Sequence, residues 1–297
     1  MAAVASYGGR LDWRRTIAYI DHNGTEMERA RLRGILGRPR PGAKVMRALE
    51  ARQNDDGGFP HGMVQGRLST IEATTTALRW LDDLGLRSSP YVERALTFLL
   101  AAQRPDGSWD EPPGLMRYGP SPRLLPGDPR VRSLLTALVG FWLVRLGHRG
   151  DDAVARAMAY LRARQATDGR FVGFLPATWL AVAVFRLGEG AQSAAAARGL
   201  EALTAVAPER WPPGWLAGML NCLGDAGVPA DPLPVRQGLA RLAALARPDG
   251  SWLSEEGEFH HVEVTLQALR ALLLYDAVSG DAEPSEPAAG PDMDAAT

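Results

Sequence analysis

The sequence predicts an all-α fold, a closed ring of about six helical hairpins in two layers, and three observations carry that prediction. First, one word recurs at long spacing: Gln53-Asn54-Asp55-Asp56-Gly57-Gly58-Phe59, Gln103-Arg104-Pro105-Asp106-Gly107-Ser108-Trp109, Gln165-Ala166-Thr167-Asp168-Gly169-Arg170-Phe171 and Ala246-Arg247-Pro248-Asp249-Gly250-Ser251-Trp252. Each copy centres on Asp-Gly with an aromatic two residues later, and repetition at such spacing marks stacked supersecondary units. Second, helical apolar periodicity flanks every copy, and few segments alternate as strands do. Third, the second helix of each pair is apolar nearly all round (134–146, 179–187, 215–223), whereas the first is more amphipathic. A helix apolar on all sides is buried, so the second helices form an inner layer and the first an outer one. An open array would need polar capping units. The helical part of this chain instead ends in Leu272-Leu273-Leu274-Tyr275, which argues for closure.

The elements follow in order. Residues 11–20 and 25–36 read as two short helices split by Asp21-His22-Asn23-Gly24. Gly24 suits the residue after a helix end, and Thr25 an N-cap with Glu28 closing a capping box. This pair lacks the word and reads as a degenerate first hairpin within residues 1–40. Five regular hairpins then span 41–278, in the same single domain. Their helices are 42–53 and 70–84, 90–103 and 131–146, 152–165 and 176–187, 191–206 and 213–223, and 234–246 and 262–278. Leu-Gly pairs at Gly85, Gly147, Gly188 and Gly224 read as stops of the inner helices. A long Pro/Gly-rich loop joins the second regular pair, and Glu209-Arg210-Trp211-Pro212-Pro213 replaces the word in the fourth. Within the word, Pro presets φ and Gly takes φ > 0, which makes a tight turn and a helix stop. Residues 279–297 carry almost no apolar bulk and are expected to form a disordered tail.

Composition narrows the function. The chain has 297 residues, 46% of them hydrophobic, and a formal net charge of −1. That balance makes no case for nucleic acid or an anionic membrane surface as a partner. No stretch approaches the apolar length of a membrane span. A single cysteine, Cys222, rules out an intrachain disulfide and sets a reducing cytoplasm as the expected location. Diphosphate-metal Asp clusters, a Gly-rich phosphate loop and a Gly-x-Ser-x-Gly elbow do not occur, which removes support for kinase, ionisation-type terpene synthase and hydrolase chemistry. Nothing in the sequence sets an oligomeric state.

The Gln-x-x-Asp-Gly-x-aromatic words, each followed by an apolar inner helix, resemble the QW repeats of squalene–hopene and oxidosqualene cyclases. The resemblance covers about residues 40–276 and implies the α/α toroid that those enzymes share with protein prenyltransferase β subunits. It implies a small single-domain cyclase or isomerase that protonates an isoprenoid or similar apolar polyene. Two alternatives stay open: a non-catalytic toroid binding an apolar ligand or partner protein, and a prenyltransferase β-subunit-like protein. The family's protonating motif, Asp-x-Asp-Asp-Thr, is absent as such. Its nearest counterparts are Thr70-Ile71-Glu72-Ala73-Thr74 and His261-Val262-Glu263-Val264-Thr265, which place Glu72 and Glu263 where the donor acid would lie.

Those two acids head near-copies of one helix, Glu-x-Thr-x-x-Ala-Leu-Arg-x-Leu. Aligned on the Leu-Gly stops, the other regular inner helices place Leu134, Leu175 and Trp211 at the Glu position, so the fold itself demands no acid there. Paired carboxyls in an apolar pocket are candidate acids. The competing readings are macrodipole compensation and ion pairing to Arg79 or Arg270 on the same helix face. His61 and His261, in equivalent loops, could orient a carboxyl or relay its proton, or lie at the surface. Trp80, Trp142, Trp179, Trp211, Trp215 and Phe185 on or beside inner helices offer π faces to a cation, or simply fill the core. With His260, Arg79 and Arg270 they complete the candidate binding set. No cofactor is expected. A zinc site like that of the prenyltransferases would need Cys222 as a ligand, and its position inside a helix suits a small core residue instead.

Overall fold

The computed structural model describes residues 12–37, 41–206 and 211–275. The expected tail at 279–297 and the far end of the last helix lie outside them. The fold is all-α as predicted. Twelve helices alternate between layers among the described residues: α1 Trp13–Asn23, α2 Glu26–Ile35, α3 Ala43–Glu50, α4 Ile71–Asp83, α5 Pro90–Ala101, α6 Pro129–Arg145, α7 Asp152–Arg162, α8 Leu175–Glu189, α9 Ala194–Thr204, α10 Pro213–Asp225, α11 Leu233–Ala244 and α12 His261–Leu274. A two-residue ladder, Phe59–Pro60 against Ser69–Thr70, is the one sheet among those residues.

The even-numbered helices pack on one another in chain order, and α12 packs on α2, so the circuit of inner contacts returns to its start. Each odd-numbered helix packs on the inner helix that precedes it around the circuit: α3 on α2, α5 on α4, α7 on α6, α9 on α8, α11 on α10 and α1 on α12. The main core lies between these layers. A second apolar cluster, Ile20, Leu32, Val262, Leu266 and Leu269, joins α1 and α2 to α12 and seals the seam between chain ends. Each such fully buried aliphatic side chain contributes roughly 1.5–3 kcal/mol.

The recurring word is a docking device. Its Asp accepts the N–H two residues on, as in Ser108 N–H to Asp106 Oδ1 at 3.1 Å. Its Gly sits at φ +83 to +87 in all four copies, a conformation that disfavours a Cβ. A Cβ on Gly107 would also lie 2.5 Å from the carbonyl oxygen of Arg156 in α7. The Gln amide then clamps the word to the next outer helix: Gln103 Nε2 donates to Gly107 O (3.1 Å) and to Ala153 O (2.8 Å). Gln53 and Gln165 do the same with Tyr91 and Ala195. The aromatic's own N–H points inward to a threonine of the inner helix: Phe59 to Thr74, Trp109 to Thr136, Phe171 to Thr178 and Trp252 to Thr265, at 2.9–3.2 Å. The fourth word lacks Gln, and Arg15 of α1 donates to Pro248 O (3.0 Å) in its place.

Several boundaries differ from the sequence reading. Helices α8 and α10 run through Gly188 and Gly224 and stop at left-handed Gly190 and Gly227 instead. At both positions the glycine is a close-packing residue, against Met158 and Leu274, and the positive φ falls two or three residues later. The threonine that receives the word's N–H, Thr178 in α8, puts Pro176 rather than Leu175 at the Glu position, and counting from Gly227 puts Gly214 there rather than Trp211; both line the central cavity. Gly24 is extended, not left-handed, at φ −75. The Thr25–Glu28 capping box is present as expected.

Candidate functional site

The inner helices α4, α6, α8, α10 and α12 enclose a central cavity of about 760 Å³. One part of its wall is hydrocarbon and indole, from Leu134, Leu138, Leu180, Trp142, Trp179 and Trp215, and another is charged, with Glu72, Glu255, Glu256, Glu263, Arg79 and Arg123. Trp179 meets Trp215 edge-on at 6.3 Å, and Phe141 meets Trp142 at 5.4 Å. Arg123, from the long loop before α6, lies 4.7 Å over the Trp215 ring near the N-terminal ends of the inner helices. The opposite end is closed by charge. Asp225 pairs with Arg145 and Arg270 at 3.0 Å, and Asp82 pairs with the same two arginines at 2.9 and 3.2 Å.

Glu72 stands in the first turn of α4 and lines the cavity. It is half-buried. Burial raises its pKa above the ordinary carboxyl value, with a further push from Glu256; the Thr76 hydrogen bond and the charge of Arg79 oppose the rise. Thr76 Oγ1 donates to Glu72 Oε1 at 3.0 Å, which leaves Oε2 available to carry a proton.

Glu111 underlies this placement and was not singled out from the sequence. It follows the second word by two residues, is 2% exposed, and accepts the N–H groups of Ile71 and Glu72, each at 2.9 Å. With Thr70 capping Ala73 N–H, the first three amides of α4 are satisfied, the need of every helix start. Burial pushes Glu111 up to about 7 against those two hydrogen bonds, and the Glu72 charge adds to the push. Its only sequence signal is an acid shortly after a word, which cannot say which helix it caps.

Glu263 behaves differently from Glu72. It lines the cavity too, but both its oxygens meet the fully buried Arg31 of α2, with Nη2 to Oε1 at 3.0 Å. Burial alone would raise its pKa; the charge and hydrogen bonds of Arg31 more than offset this and hold it below the ordinary value. Arg31 also binds Asp83 at 2.9 Å. The two glutamates therefore head similar helices in unlike states, because α2 offers a cation to one and not to the other. Arg31 lay in the degenerate hairpin, where no repeat pattern marked it.

Among the other expected residues, Arg79, Trp142, Trp179, Trp215 and His260 line the central cavity. Arg270 reaches it only at the closed end, engaged with Asp82, Asp83, Asp225 and Asn221, so the ion-pair reading describes it and the binding reading does not. Phe185 is fully buried between layers, stacked on Phe171 at 5.6 Å. Trp211 packs on Trp179 at 5.6 Å and stays off the wall. Both are core residues, since an inner helix has an outward face as well as an inward one. Trp80 lines a second cavity of about 770 Å³ beside α2 and α3. His61 stacks on Tyr118 at 5.6 Å, with its pKa lowered by burial and by Arg67. His261 opens α12, and its carbonyl accepts from Thr265 Oγ1 at 2.7 Å. Neither histidine lines either cavity. Cys222 does line the central one; burial pushes its thiol well up, and Sγ rests 3.7 Å from Trp179 O.

No family model and no curated protein matches the chain. Solved structures do. The type II terpene cyclase MstE from Scytonema aligns at TM-score 0.56 and 16% identity, over 85% of this chain and 88% of that one. A variant of MstE in complex with geranylgeranyl dihydroxybenzoate, its substrate, aligns at TM-score 0.56 and 15% identity, over 84% and 86%. A protein from Actinoplanes aligns at TM-score 0.58 and 16% identity, over 89% of this chain and 98% of that one. At these identities the likeness is one of fold, and this chain has the terpene cyclase-like fold seen in MstE.

Proposed function

We propose that the chain is a single-domain, protonation-initiated cyclase or isomerase of an isoprenoid or other apolar polyene, with Glu72 as proton donor. The observation that carries this reading is a carboxyl with a raised pKa lining a cavity whose wall includes Leu134, Leu138, Trp142, Trp179 and Trp215. The likeness to a type II terpene cyclase with a geranylgeranylated substrate supports it.

In the proposed reaction, Glu72 Oε2–H transfers its proton to the less substituted carbon of a terminal trisubstituted alkene. The alkene π pair forms the new C–H bond, and a tertiary cation remains at the neighbouring carbon. Thr76 stabilises the carboxylate left behind through its hydrogen bond to Oε1. The π pair of a second alkene then closes a ring onto the cation, while the faces of Trp142, Trp179 and Trp215 stabilise positive charge as it moves. Loss of a proton to the Glu72 carboxylate ends the sequence, so substrate and product are isomers. Exclusion of water protects the cation from capture. Glu263, held charged by Arg31, supplies fixed negative potential rather than a proton.

The test is incubation with geranylgeranyl-substituted phenols and with free polyprenyl alcohols, followed by mass-resolved chromatography of the isomers formed. Glu72→Gln keeps the shape and removes the proton, and is expected to abolish turnover while binding persists. Turnover by Glu72→Gln near the parent rate would sink the assignment. A parent protein that binds these compounds and returns them unchanged would identify a carrier instead.

A further inference from the structure

The second cavity follows from the irregular first hairpin. Helix α2 has 10 residues, whereas the other inner helices have 13 to 17. At 1.5 Å per residue it is shorter than the shortest of them by about 5 Å. Its N-terminal residues Thr25, Glu26, Met27 and Glu28 line the second cavity. The hairpin also lacks a word. The four words dock on α5, α7, α9 and α1, and among the described residues none docks on α3 or α11. The short inner helix sets the first hairpin apart, and a side chamber opens beside it.

The cavity at that place shares Glu72, Arg79, Glu256, His260 and Glu263 with the central one. Glu26 pairs with Lys44 and Glu263 with Arg31, while Glu28, Arg52, Glu72, Arg79 and Glu256 add further charge to its lining. Between them lie Met27, Val45, Ala48, Met63, Ala73 and Trp80, an adaptable apolar lining. Phe259, 94% exposed, also borders it.

We infer that this side chamber is a second arm of the ligand site, taking an uncharged hydrocarbon segment of an elongated ligand whose remainder occupies the central cavity. The ligand then passes Glu72 along its length, and the acid addresses an alkene where the two arms meet. The inference rests on the apolar-ligand reading above and adds the path.

Two plugging variants test it, with geraniol and geranylgeraniol as the probes and quenching of intrinsic tryptophan fluorescence as the readout. Ala48→Trp fills the side arm from an outer helix. Gly218→Phe fills the central cavity, where a Cβ meets nothing within 4 Å. Ala48→Trp is expected to weaken geranylgeraniol about tenfold or more and to leave geraniol unchanged, while Gly218→Phe weakens both. Ala48→Cys is also expected to react with a thiol reagent, and bound geranylgeraniol to slow that reaction; buried Cys222 stays inert. Geranylgeraniol binding to Ala48→Trp as tightly as to the parent, with loss in Gly218→Phe, would overturn the side arm and leave the cyclase reading standing. Failure of the parent to bind either alcohol would overturn both. Unchanged melting of each variant excludes misfolding, and the cysteine protection assay decides the matter if the tryptophan does not fold.

Discussion

Glu72 and Glu111 form a pair of acids around one helix start, and their proton occupancy sets what the site can do. The proposed chemistry requires Glu72 protonated, so activity is expected below its elevated pKa and to fall as pH rises through it. A rate that instead rises with pH across that range would contradict an acid role. Glu111 makes a separate prediction about stability. Its folded pKa, about 7, lies above the unfolded carboxyl value, so the folded state binds the extra proton between the two. The stabilisation this proton brings is fully present below about pH 4.5 and is lost as pH rises through 7, up to roughly 3 kcal/mol by linkage. Glu111→Gln is expected to flatten stability against pH between 5 and 8 in denaturant titrations. An unaltered pH slope would show that Glu111 is charged throughout.

Each word couples an outer helix to the next unit and its aromatic to an inner helix. The inward link is a threonine, which accepts the aromatic's N–H while donating to its own helix, as Thr136 does to Arg132 O at 2.7 Å. Thr136→Val keeps the volume and leaves the buried Trp109 N–H without its acceptor, so a loss of about 1–3 kcal/mol is expected. The denaturation midpoint checks it, and an unshifted midpoint would mean that the word is held by its Gln and Asp bonds alone. The same threonine register identifies the cavity-facing position two residues earlier: Glu72, Leu134, Pro176 and Glu263, all of which line the cavity. Carboxylates at two of these positions are therefore additions to the repeat. Arg31 then separates them chemically.

Closure of the ring rests on the seam between α1, α2 and α12. Gly250 of the last word packs on α1, where a Cβ would lie 2.5 Å from Arg15 C and from Thr16 N. Its φ of +83 adds conformational cost for any other residue. Gly250→Ala is expected to destabilise by more than about 1 kcal/mol and to raise amide exchange in α1 and α12 ahead of α6 and α8. Uniform exchange across all helices would show that the seam is no weaker than the other interfaces. Among the described residues, no helix is long and apolar enough to cross a membrane.

Helix identity, layer order and most boundaries were legible in the chain, because they depend on local periodicity, on turn chemistry in Asp-Gly words and on the all-round apolar character of inner helices. The carboxylate Glu72 was legible as well, since the repeat made an acid stand out against Leu134. Its environment was not. Glu111 reaches α4 from 39 residues away, and Arg31 reaches Glu263 across 232; no local pattern encodes such meetings. Phe185 and Trp179 both lie on α8, yet one is buried between layers and the other walls the cavity. That choice depends on rotation of the helix against its neighbours. The charge state of each acid, the closed end built by Asp82, Asp225, Arg145 and Arg270, and the side chamber above a short α2 were all decided by the tertiary structure. Desolvation and Coulomb terms act through space, and space was assigned only when α12 packed on α1 and α2.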